Sequence, residues 1–130
     1  MSSTTRRTSE TARTSADAHR SATTEVVTSI VGFLVDLLGT KLTAHLAQVD
    51  VSTISRWRSG KVTPPVEAEK RLRETYQISR LLLQGDADHT VRAWFIGMNP
   101  QLDDESPIEA IIDGNVKGAL AAARSFLDAA

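Results

Sequence analysis

The sequence contains no cysteine. Disulfide scaffolds and cysteine-ligated zinc are excluded, and nothing points to secretion. No apolar run approaches the roughly 18–20 residues that span a bilayer. The longest, Ile30 to Leu38, is short and interrupted by Asp36, so no membrane association is expected and a cytoplasmic protein is. No glycine-rich run precedes a helix, so there is no loop to cradle phosphates. The three histidines, His19, His45 and His89, lie far apart. No His/Asp/Glu set has metal-ligand spacing, and the serines lack a histidine base pattern. No catalytic residue, metal or cofactor is therefore expected, and the chain does not read as an enzyme. Asp103-Asp104-Glu105 reads as a solvated acidic loop rather than a cation site. There is no internal repeat and no strand signal longer than a few residues, which leaves an all-α class.

What is present is ordinary for one compact domain or two small helical modules sharing a core. The chain has 130 residues, 41% hydrophobic and 24% charged, with net charge −1. Residues 1–24 are half Ser and Thr, punctuated by Arg6, Arg7, Arg13 and Arg20. That composition lacks the apolar stretch of a secretion signal and reads as a disordered tail; the organelle transit peptide is the competing reading. Charge is uneven. Residues 1–80 carry 12 basic against 8 acidic residues, and residues 81–130 carry 3 against 8. A basic front and an acidic back suggest two partners of opposite character.

Apolar spacing of three and four predicts seven helices. Glu25 to Leu38 forms the first, with Val26, Val27, Ile30, Val31, Leu34, Leu37 and Leu38 on one face and Gly39 as its stop. Lys41 to Ala47 and Val51 to Ser59 follow, the latter capped by Asp50. Thr63-Pro64-Pro65 opens a fourth helix that runs through Val66, Leu72, Tyr76 and Leu83 to about Gln84. Asp88 caps a fifth, His89 to Ile96. Ser106-Pro107-Ile108-Glu109 is a capping box for a short sixth helix ending at Gly114. Asn115 caps the last, with Val116, Leu120, Ala123 and Leu127 in one stripe.

Thr43 to Trp57 carries the pattern of a helix-turn-helix. Ala44 is small where two steeply crossed helices touch, Gln48-Val49 makes the turn, and Ile54 and Trp57 lie on the inner face of the second helix. Gln48 stands where the turn asks for positive φ and where Gly is the usual choice. The outer face must be short and polar to enter a major groove about 12 Å wide. Ser52, Ser55, Arg56 and Ser59 supply it, with Val51 beside them. Ser52, Ser55, Arg56, Arg58 and Lys61 are the candidate DNA-binding residues, the last two facing phosphates. Lys70-Arg71-Arg73 alternates with Glu67, Glu69 and Glu74, which reads as a solvated helix face. The domain plan is a tail (1–24), a helix-turn-helix region with a long connecting helix (25–84), and a small helical domain (85–130).

The small domain resembles a known family. Val91-Arg92-Ala93-Trp94-Phe95, then Asn99-Pro100-Gln101-Leu102, then Ser106 to Gly114 is similar in order and spacing to the toxin-binding domain of Xre/MbcA/ParS-type antitoxins. The resemblance covers residues 26–128, with the helix-turn-helix where that family places it. It implies a partner, a RES-domain toxin that consumes NAD⁺, whose active-site cleft the C-terminal region covers. It also implies an antitoxin dimer that binds operator DNA and represses its own promoter. By the same resemblance Trp94, Asn99, Pro100, Leu102, Pro107 and Gly114 form the framework of the toxin-binding domain. Direct contacts are expected from the last helix and from Asp103-Asp104-Glu105; family members often carry Gly in the loop that Asp103-Asp104 occupies. The stripe of Ala119, Ala122 and Ala123 beside Phe126 suits a dimer, a toxin contact or the chain's own core alike. Two competing readings are a stand-alone helix-turn-helix repressor and an interaction scaffold whose helix-turn-helix is inert.

Overall fold

The structure, a computed structural model, describes residues 26–129. The expected tail over 1–24, with its four arginines and His19, lies outside the described residues, as does Glu25. Among the described residues there are seven α-helices, one 3₁₀ turn and no strand.

Helix α1 spans 26–38. Val27, Ile30, Val31, Leu34, Leu37 and Leu38 are buried on one face, while Val26 remains half exposed. Gly39 alone separates α1 from α2 (Thr40–Ala47). Its φ of 90° and ψ of 159° belong to a region essentially reserved for glycine. The Gly39 N–H still donates to Val35 O at 2.8 Å, and the buried Thr43 hydroxyl donates back to Gly39 O at 2.8 Å.

A short turn leads to α3 (Val51–Arg58). Gln48 does take the left-handed conformation there, with φ 60° and ψ 43°. Its side-chain amide donates to His45 O at 2.7 Å, which offsets part of the cost of placing a non-glycine residue in that region. Ile54 and Trp57 turn inward and are buried.

Helix α4 (Val66–Leu82) begins one residue later than the prolines suggested. Pro65 is its N-cap rather than its first helical residue, and Val66 stays exposed. Ala68, Leu72, Thr75, Ile78, Ser79 and Leu82 form its buried stripe. Thr75 and Ser79 satisfy their hydroxyls on the carbonyls one turn back, Arg71 O and Thr75 O. Lys70–Glu74 and Arg73–Glu69 are the expected ion pairs. Arg71 departs from the solvated-face reading. Its Nε and Nη2 donate to Leu46 O and Ala47 O, each at 3.0 Å, and so cap the C-terminus of α2 with a positive charge. Arg71→Ala removes both bonds. It is expected to cost about 2 kcal/mol, seen as a lower urea midpoint at unchanged slope.

Helix α5 (Asp88–Ile96) has Ala87 at its N-cap position and no side-chain cap, with Asp88 inside its first turn rather than at the cap. The 3₁₀ turn Pro100–Leu102 follows. Helix α6 (Pro107–Ile112) has the expected Ser106 cap, and α7 (Val116–Asp128) the expected Asn115 cap. In α7 the fully buried positions are Ala119, Ala122 and Ala123. Val116, Leu120, Phe126 and Leu127 are partly buried against the same core. The alanine stripe belongs to the chain's own packing, where it lets α7 approach α4. One apolar cluster runs unbroken from Val27 in α1 to Ala123 in α7.

Candidate functional site

Two surfaces carry the candidate residues. The first is the outer side of α3. Asp50 caps this helix: its Oδ1 accepts from the Thr53 N–H at 2.8 Å, the Thr53 hydroxyl at 2.7 Å and the Ser52 hydroxyl at 2.9 Å. Those bonds, the Thr53 hydroxyl foremost, hold the Asp50 carboxyl down from its ordinary 3.8 to about 2. Arg56 reaches back to the Thr53 hydroxyl at 3.3 Å, which ties it to the cap. Ser52, Ser55, Arg56, Ser59 and Lys61 are all exposed. Arg58 is exposed too, but its guanidinium is engaged with Asp36 of α1 at 3.0 Å. A phosphate would have to compete with that carboxylate, which the sequence pattern does not reveal because the pair is separated by 22 residues.

The lowered Asp50 carboxyl sets a pH window. Its contribution to holding α3 is complete above pH 3.8 and is lost as pH falls toward about 2. Acid titration followed by amide exchange on Thr53 is expected to show protection declining across that range. In Asp50→Asn the decline should be absent.

The second surface is built on the loop between α5 and α6. Asn99 is its hub. Its carbonyl accepts from the Leu102 and Asp104 N–H groups, each at 2.9 Å, and its side chain accepts from the Gln101 N–H at 3.0 Å. Asp103 and Asp104 take φ of 55° and 67°. The loop therefore keeps the left-handed backbone that glycine adopts freely, even with aspartate in both places. Trp94 is buried edge-on against Phe95, ring centres 5.0 Å apart, and leans on Phe126 at 6.4 Å. Its indole N–H has no acceptor among the described residues. Leu102 and Pro107 are buried, Pro100 is exposed, and Gly114 turns the chain at φ 91°. Of the six framework residues, then, Trp94, Leu102 and Pro107 fill the core, while Asn99 and Gly114 shape backbone.

Beside this loop the fold brings Glu105 and Glu109, both met in the sequence, against Asp113, which no sequence pattern singles out. Packing around Glu105 pushes its carboxyl up, helped by a hydrogen bond with Asp113 and by the charges of Asp113 and Glu109. Glu109 also pairs with His45 of α2, which links the first helix of the expected helix-turn-helix to α6. Residues 64 positions apart give no local signal of such a pair. Among the described residues no group of three His, Cys, Asp or Glu side chains is placed to hold a metal ion, and no helix is long and apolar enough to cross a membrane.

No family model matches the chain, and no curated protein does. Among solved structures it is similar to a chain in the crystal structure of the M. tuberculosis MbcT–MbcA toxin–antitoxin complex. The likeness has a TM-score of 0.69 at 21% identity and covers 80% of this chain and 96% of that one. The all-helical fold described above is thus one found in a toxin–antitoxin complex.

Proposed function

We propose that the chain is an antitoxin. It binds a cognate RES-domain, NAD⁺-consuming toxin through the region after residue 84 and covers the toxin's active site. As a dimer it represses its own promoter through the α3 face. The main support is a coincidence. The residues that resemble the toxin-binding pattern, Trp94, Asn99, Leu102, Pro107 and Gly114, occupy core and turn positions of a fold shared with a toxin–antitoxin complex. The exposed polar row Ser52, Ser55 and Arg56 supports the DNA role.

Co-expression with the product of the adjacent gene tests the proposal. A neighbour that is toxic alone, binds this protein and is neutralised by it is the expected result. Truncation after Leu83 should abolish rescue. A neighbour that neither binds nor poisons would overturn the antitoxin role and leave the stand-alone repressor. Promoter binding should weaken steeply with salt, and Arg56→Ala should weaken it further.

A further inference from the structure

A groove of about 550 Å³ opens between the α1–α2 corner and α5. Leu38, Gly39, Leu42 and Ile96 give it an apolar lining. Ile96 is 55% exposed, so a large apolar side chain of the lining is left in water; Met98, exposed as well, follows two residues on, just outside the lining. The polar part of the lining is Thr40, Lys41, His45 and Arg92, with His45 taken up by Glu109. Lys41 and Arg92 both border the groove, and neither has a carboxylate within 4.0 Å among the described residues. Arg92 lies against the bare backbone of Gly39, its Nη2 3.6 Å from where a Cβ would stand. The first turn of α2 has no side-chain cap and no acidic residue, so its N–H groups are left free to donate, set against the carbonyl end of α1 at the same corner. All this sits beside a C-terminal stretch that is otherwise acidic, in which Arg92 is one of only three basic residues.

We propose that this groove seats an acidic, apolar segment of the partner protein. An aliphatic or aromatic side chain of that segment covers Leu42 and Ile96. A carboxylate beside it meets Lys41, Arg92 and the N-terminus of α2. The unpaired Lys41 and Arg92 select acid, and the apolar Leu42 and Ile96 select polypeptide over nucleic acid, because a phosphate backbone would leave both uncovered. The inference rests on the antitoxin reading. It extends the contact surface from the C-terminal region onto α2.

The test uses the complex with the adjacent gene product. Lys41→Glu with Arg92→Glu, and separately Ile96→Asp, are compared with Arg80→Glu on the exposed face of α4, after circular dichroism shows each folded. Both groove variants are expected to weaken partner binding at least 30-fold, and Arg80→Glu less than threefold. Because the chain has no cysteine, Met98→Cys also gives a single thiol for a benzophenone label. Its cross-link should fall on a partner peptide that contains Asp or Glu next to an apolar residue. Groove variants that bind the partner within threefold of wild type overturn the inference while the antitoxin reading stands. So does a loss confined to promoter binding, or a cross-link to a second copy of this chain. A wild-type protein that binds no partner overturns both.

Discussion

Trp57→Ala is expected to lower stability by about 3–5 kcal/mol, the range for emptying a buried large aromatic site. Trp57 is 2% exposed and stands one turn beyond Ile54 on the inner face of α3. Nothing else on that helix is buried, so these two side chains are its apolar anchor to the core, beside the exposed Arg58–Asp36 pair. A domain of this size commands only about 5–15 kcal/mol in total. The variant should therefore lose much of its margin, and its urea midpoint, followed by far-ultraviolet circular dichroism, should fall accordingly. A loss below about 1 kcal/mol would mean that α3 is held by something other than this anchor. Trp57→Phe, which replaces the indole with a smaller phenyl ring, should cost less than Trp57→Ala.

Phe95→Ala should cost a similar ~3–5 kcal/mol on a helix of the C-terminal part of the fold. Phe95 is completely buried on α5 and receives the edge of Trp94. The informative part is where the damage is felt. The chain has two tryptophans, one in α3 and one in α5. With Trp94→Phe added to make Trp57 the single reporter, Phe95→Ala should shift the Trp57 fluorescence transition as much as the helical signal, because one apolar cluster joins the two ends. Two separated transitions, with Trp57 melting at its wild-type midpoint, would contradict that continuity.

The helices were legible because each has a clear apolar period. Leu34, Leu72 and Ala123 fall where spacing alone puts them inside. Capping chemistry was legible where the side chain acts on its own helix, as at Asp50, Ser106 and Asn115. It failed at Pro65 and Ala87, because the cap position there is set by where the preceding loop delivers the chain. The harder omissions are contacts across the fold. Arg71 looked like one more member of an alternating charged row, yet it caps α2 from 24 and 25 residues away. His45–Glu109 and Arg58–Asp36 were hidden for the same reason. Charge patterning reads neighbours three and four apart, and only the packed fold brings distant residues together. The α3 face could be drawn from the helix-turn-helix pattern. The groove at Gly39 and Arg92 could not, since its walls come from helices that two others, α3 and α4, separate in the chain.

The unbroken core also bears on how the chain is destroyed. A protease needs an unfolded stretch of several residues, and in a molecule whose ends share one cluster the route to such a stretch inside the core is opening of the whole. Cleavage there would not release a surviving α3 unit or a surviving α5–α7 unit. Turnover would remove both surfaces together, at a rate set by the population of the open form. Sequence changes as far apart as Trp57 and Phe95 would then shorten the cellular half-life of both surfaces alike.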